Sequence, residues 1–228
     1  YYSAPGKINS IHDAIARVLG FQLVMNLSLG LAIGKTLSYP EHCPYGIKSF
    51  WQQSIYCAIT MEKLNQAMDK EQRGSAGLCY LTGLLNNFGY LITAHVFPDY
   101  FQQICQLQMA NRHLLYCHIE LHLLGICRDQ ISSHLLQAWK LPAEVSSALR
   151  FQHSPDYTGH HHNYANLCLV AKRLLKAKGI DQIPTSTLPV HLYDRLRLTP
   201  DTVEQTVDEV FQCSEEIEQM TNLFTRAG

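Results

Sequence analysis

Two adjacent carboxamides, Asn86 and Asn87, interrupt an apolar stretch, Gly83-Leu84-Leu85-Asn86-Asn87-Phe88-Gly89-Tyr90-Leu91. Leu78, Leu81, Leu84, Leu85 and Phe88 recur at three- and four-residue steps, which predicts one buried helix over about 78–96, bent at Gly89. Amides in that setting need several hydrogen-bond partners, and each buried group left unpaired costs roughly 1–3 kcal/mol. A polar counterpart must therefore face the doublet, either as part of a reaction site or as a plug of side chains.

Histidines are the other residues suited to chemistry, and the chain has 12 of them. His118 and His122 lie one helical turn apart, a spacing that can chelate a metal from one face. Glu120 points away from that face and cannot be the third ligand. His160-His161-His162 falls with His153 in a segment holding Pro155 and Gly159, where a solvated loop is the simpler reading than an adventitious metal site. The eight cysteines are never closer than ten residues, which excludes the close pairs of common zinc sites. Cys57, Cys79, Cys105 and Cys168 occupy apolar helical positions, where a reduced thiol packs as a small hydrophobe. The sequence has neither a Gly-x-Ser-x-Gly elbow nor a phosphate-binding loop ending in Gly-Lys.

The elements that must position these residues read as helices, with no convincing period-two strand. Ser10-Ile11-His12-Asp13 forms a capping box before a helix that Gly20 ends, and a second helix covers 21–37. Pro40, Pro44 and Gly46 mark a loop, after which Phe50, Trp51, Ile55, Ala58 and Ile59 share a helical face. Pro98-Asp99 opens a helix, and Gly125 closes another that begins near His118. Ile131, Leu135 and Trp139 mark the next helix, and Leu141-Pro142 starts one more. A helix carrying Leu167, Val170, Ala171 and Leu174 stops at Gly179, and 181–189 read as a Pro-containing linker. Thr199-Pro200-Asp201 then starts a long amphipathic helix, with Val203, Val207, Val210, Ile217 and Phe224 at helical spacing.

Bulk properties narrow the function. With 228 residues the chain can bury a sizeable core, and a formal net charge of −1 argues against a nucleic-acid-binding surface. The most apolar segment, 21–37, is broken by Gln22, Asn26, Ser28, Gly30, Gly34 and Lys35. A bilayer span needs roughly 20 mainly apolar residues, so no membrane association is expected. Reduced cysteines and the lack of a secretory signal point to a cytoplasmic location.

Several separate segments, taken in order, resemble the HDOD module (HD-related output domain), a bacterial signalling relative of the HD-type metal-dependent phosphohydrolases. Ile8-Asn9-Ser10-Ile11 with Ala14-Ile15 and Leu19-Gly20 resembles its entry motif, and Phe50-Trp51 followed by Gln53-Ser54 resembles F-W-x-H-S. Gly83 through Gly89 resembles G-L-L-H-D-I-G, and Glu120 with Gly125 resembles E-x-x-x-x-G. Trp139-Lys140-Leu141-Pro142 resembles W-x-L-P, and His153-Ser154-Pro155 resembles the end of H-H-x-P. The resemblance implies an all-α fold, an HD-domain/phosphodiesterase-like helical bundle. It also implies an HDOD-like domain over 1–180, with an N-terminal portion expected upstream of the abrupt start at Tyr1. Residues 181–228 would supply a linker and a long C-terminal helix packing on the same domain.

An HD phosphohydrolase of this pattern holds divalent cations with histidines and a His-Asp doublet to activate water. In this chain the resemblance puts Gln53 at the first His position and Asn86-Asn87 at the doublet. Cys127-Arg128 falls at a later Asp-His step, Gln152 at the first His of H-H-x-P, and Lys172 at a later Asp. Of these ligand positions His153 alone keeps its residue type. An amide oxygen is a weaker ligand than a carboxylate, and Arg128 and Lys172 would bring positive charge where a cation should sit. The resemblance therefore implies a non-catalytic regulatory module that needs no metal or other cofactor and relays signals through contacts with signalling proteins or with a second copy of itself. Gln53, Asn86, Asn87 and Gln152 would form a polar plug or line a pocket for a small anionic ligand. The alternatives are a divergent metal-dependent phosphohydrolase using His153 with His118 or His122, and a nucleotide- or anion-sensing module using Arg128 and Lys172.

Overall fold

The structure, a computed structural model, describes residues 46–181, 185 and 187–227. The capping box, the helix over 21–37 and most of the loop after it lie outside the described residues. Among the described residues there are helices and no strand, so the all-α expectation holds. No helix among them is long and apolar enough to cross a membrane.

Helix α1 (Ile47–Ala67) is the axis of the bundle, with 21 residues spanning about 30 Å. Its Ile55, Ala58, Met61 and Leu64 have no exposed surface. Around it pack α2 (Ala76–Leu85), α8 (His162–Ala177), α10 (Pro200–Gln212) and α11 (Ser214–Ala227). The C-terminal pair is fastened by aromatic contacts, Tyr56 on Phe211 at 5.1 Å and Trp51 on Phe224 at 4.9 Å between ring centroids. On the other side, α3 (Phe88–Val96) and α4 (Pro98–Ala110) enclose a smaller apolar cluster of Phe50, Tyr90, Leu91, Ala94, Phe101 and Cys105. Helices α5 (Tyr116–Leu124), α6 (Arg128–Ala138) and α7 (Ala143–Phe151) follow, with α6 packed on both α3 and α7.

Three local readings of the sequence need correction. The single helix expected over 78–96 is two, α2 and α3, broken at the Asn86-Asn87 doublet. Asn87 leaves helical geometry (φ −99°, ψ 9°), and the Asn86 carbonyl accepts from Gln152 Nε2 at 3.1 Å. Tertiary hydrogen bonds to the doublet thus replace part of the helical ladder, an override that apolar periodicity cannot register. The last helix is likewise two, interrupted at Cys213 (φ −94°, ψ 23°). A short helix absent from the sequence reading, α9 (Val190–Leu196), buries Leu192 and Leu196. Thr199 caps α10 as expected, its hydroxyl accepting from Thr202 N at 3.2 Å.

Glycines set the closest helix approaches. A Cβ at Gly83 would fall inside contact distance of the Ala58 backbone on α1, and one at Gly89 would collide with the Arg128 carbonyl on α6. Replacing an interior helical glycine with alanine normally gains about 1 kcal/mol of helix propensity. Overpacking against a backbone costs about 1–3 kcal/mol or more, so it wins at Gly83. G83A should therefore lower stability by about 1 kcal/mol or more in urea titration, and an unchanged or raised midpoint would contradict the tight α1–α2 contact.

Candidate functional site

The counterpart that the amide doublet requires is an ammonium. Lys172 lies on the inner side of α8, one turn after Cys168, and is 3% exposed. Its Nζ donates to Asn86 Oδ1 at 2.9 Å and to Asn87 Oδ1 at 3.2 Å, and stands 3.7 Å from Asp181 Oδ2. The amide nitrogens are used as well. Asn86 Nδ2 donates to the Gly83 carbonyl at 2.6 Å, and Asn87 Nδ2 donates to Gln53 Oε1 on α1 at 3.1 Å. The helix break lets both side chains point the same way, toward α8.

Gln152, just past α7, extends this network. Its Nε2 donates to the Asn86 carbonyl and, at 2.8 Å, to Asp129 Oδ1, while Cys168 Sγ approaches its Oε1 at 3.7 Å. Asp129 Oδ2 in turn stands 3.7 Å from His153 Nε2, too far for a hydrogen bond. Arg128 is anchored separately: its backbone N donates to Glu120 Oε2 at 2.8 Å and its Nε to Glu120 Oε1. Its guanidinium lies over the rings of Tyr116 (4.3 Å) and Tyr90 (5.0 Å).

All seven residues singled out in the sequence therefore gather in one region. Gln53, Asn86, Asn87, Gln152 and Lys172 form a continuous hydrogen-bonded chain. Arg128 lines a cavity of about 30 Å³, one water's worth, together with Gln53, Asn87 and Lys172. His153 opens instead on a larger cavity of about 340 Å³, which Lys172 also lines. The sequence reading missed three carboxylates, Glu120, Asp129 and Asp181, that balance these cations. Asp129 in a first helical turn looks like an ordinary dipole-complementing acid, and Asp181 sits in what reads as a linker. A signal was present for Glu120, which opens the E-x-x-x-x-G match; fully buried, it demands the cationic partner that Arg128 supplies. His122 is exposed and does not join His118 in the larger cavity.

Burial and charge set the protonation of the group. Burial pulls the Lys172 ammonium toward neutrality, but Asp181, the Cys168 and Cys57 thiols and Asp129 outweigh it and raise its pKa, so it stays charged. Burial pushes Asp129 up to about 7, against the opposing pull of Lys172, Arg128 and the Gln152 hydrogen bond. His153 is held well below its usual range by burial and by Lys172, Arg128 and Arg173, although 20% of its side chain still meets solvent. At neutral pH the close His153–Asp129 approach is thus not a full ion pair.

A divalent cation, the group this fold family implies, is poorly served by these donors. The doublet offers amide oxygens that already accept from Lys172. Among the described residues no three His, Cys, Asp or Glu side chains are grouped to hold a metal ion. Even two unit charges 4 Å apart repel by roughly 4 kcal/mol at an effective dielectric of 20. The residues present do not fit the metal.

The family model for the HDOD domain matches residues 1–155. A crystal structure of a "Putative signal transduction protein" from Marinobacter aquaeolei VT8 is similar at 39% identity with a TM-score of 0.84, covering 96% of this chain and 49% of that one. A "Putative phosphohydrolase" from Shewanella amazonensis SB2B shares the fold at 17% identity with a TM-score of 0.70, covering 95% of this chain and 77% of that one. An uncharacterized protein of Treponema pallidum (strain Nichols) is 23% identical over 215 residues, covering 92% of this chain and 39% of its own length. The chain spans about half of the Marinobacter protein's length and less of the Treponema one.

Two measurements probe the network. K172M removes the cation from two buried amide oxygens and from Asp181, and should cost about 3 kcal/mol or more in chemical denaturation; a loss below about 1 kcal/mol would mean the ammonium holds little together. Asp129, raised from 3.8 to about 7, stabilises the fold most below pH 4 and loses that contribution as pH rises through 7. D129N, which mimics the protonated acid, should gain stability relative to the parent across pH 4–8, by on the order of 1 kcal/mol or more. A flat difference between the two melting profiles would refute the raised pKa.

Proposed function

The chain belongs to the HDOD family, and on that footing we propose that it is a regulatory module of bacterial signal transduction that performs no reaction and acts through protein contacts. The observation that carries this reading is the position of Lys172 Nζ, bonded to both amides of the doublet. A tethered monovalent cation occupies the amide oxygens of the doublet, which leaves them committed to the ammonium rather than to a metal ion that would activate water. It is charged at every physiological pH but has no vacant coordination position and generates no hydroxide. The network is thereby a structural plug, one that fixes α2, α3, α7 and α8 relative to one another.

The contact mode is supported by the outer face of α4 and the end of α3. Val96, Tyr100, Leu107 and Met109 are exposed there, while Phe101, Ile104 and Cys105 on the same helix are buried. The likeness to a "Putative signal transduction protein" at 39% identity supports the signalling part of the reading.

The test uses protein purified without a metal-affinity tag, measured for metal content and for turnover of phosphodiester and phosphomonoester substrates. The expected result is iron, manganese and zinc far below one per chain, and no hydrolysis that added Mn²⁺ can raise. One metal per chain accompanied by phosphodiesterase turnover would overturn the proposal and restore the divergent phosphohydrolase.

A further inference from the structure

The cavity of about 340 Å³ that His153 and Lys172 line has a different character from the plug. Its floor is Gln152, His153 and Lys172, its wall is Leu114 and Leu169, and Arg173 closes one side. His113 and His118, both exposed, stand at the rim. A volume above about 300 Å³ is enough for a small organic molecule, whereas the 30 Å³ space beside Arg128 is not.

Charge bookkeeping singles out Arg173. Arg128 is matched by Glu120 and Lys172 by Asp181. Arg173 is half-buried, and among the described residues no carboxylate pairs with it; its Nη1 donates to a backbone carbonyl, that of Thr187. Burial lowers its pKa. The excess is felt on the cavity floor, where Arg173 joins Lys172 and Arg128 in disfavouring a proton on His153. A partly desolvated guanidinium at an open cavity, with no carboxylate partner among the described residues, is a place for an external anion.

The geometry points to this cavity as a binding site for a small organic phosphate, its phosphoryl group on Arg173 and the rim imidazoles and its ring or apolar body against Leu114 and Leu169. Its donors come from three separate elements, the turn before α5 (His113), α5 itself (His118) and α8 (Arg173). That arrangement suits a tetrahedral phosphate better than a planar carboxylate, which a single arginine fork would satisfy. The leucine wall favours a ligand with more than a phosphate, and a nucleoside monophosphate is of suitable size and shape. The site differs from the anion reading of the sequence, which relied on Arg128 and Lys172, since both of those are already paired. It stands independently of the proposed lack of catalysis, because none of its anion contacts is a member of the amide–lysine network.

The full chain would be titrated by calorimetry with AMP, GMP, inorganic phosphate and adenosine. At least one nucleoside monophosphate should bind at one site per chain, with inorganic phosphate and adenosine each at least tenfold weaker. R173Q, which keeps much of the stem, should weaken binding at least tenfold. H118A, an exposed rim substitution that cannot disturb the core, should weaken it about threefold, and K48A, on a distant surface of α1, should leave it unchanged. No heat from either nucleotide or from phosphate at millimolar concentration would overturn the site. So would binding that R173Q and H118A leave intact.

Discussion

An ammonium buried to 3% exposure is tolerable only where its charge and its three protons are answered, and the answer given to Lys172 constrains four helices at once. Two amide oxygens come from the joint between α2 and α3, and a carboxylate comes from the chain just beyond α8. The amides can serve only if the helix carrying them breaks, because a continuous helix would turn their side chains 100° apart. Gln152 then caps the exposed carbonyl of the break. The break, the cap and the ion pair are therefore one arrangement, and no member is free to change alone.

The same arrangement accounts for the glycines on either side. Gly83 lets α2 lie against the α1 backbone, and Gly89 lets α3 lie against the start of α6. With those approaches fixed, the amides have little latitude to rotate away from Lys172. Arg128, at the first position of α6, is held by Glu120 and by two tyrosine rings, so the neighbouring cation is immobilised by a second set of contacts. A buried and a partly buried cation close to one small cavity repel each other less when each is paired with its own carboxylate.

Much of this was legible in the residue string. Helical periodicity located nearly every described helix, and the amide doublet announced that a polar partner had to be near. The positions at which the resemblance placed altered ligands do converge in space. What the string hid follows a physical pattern. The break at Asn86-Asn87 comes from hydrogen bonds to residues 66 and 86 positions away, which no local rule reports. Asp129 and Asp181 carry opposite lessons: one looks like a helix-start acid, the other like a solvated linker residue, and both are buried by neighbours distant in sequence. The break at Cys213 and the short helix over 190–196 are likewise products of packing on α1 and α8.

Asp181 has one more role, set by where it lies. It lies four residues past the end of α8, ahead of α9, α10 and α11 in the chain. Lys172 grips it from the centre of the bundle. The C-terminal layer, which spreads over α1 through Phe211 and Phe224, thus follows in sequence a residue paired with the same ammonium that holds the α2–α3 joint. The ammonium that holds the α2–α3 joint is therefore also the partner of a residue on the approach to the last helices, which the Lys178–Asp208, Lys63–Glu209 and Lys48–Glu218 pairs tie to the end of α8 and to α1 as well.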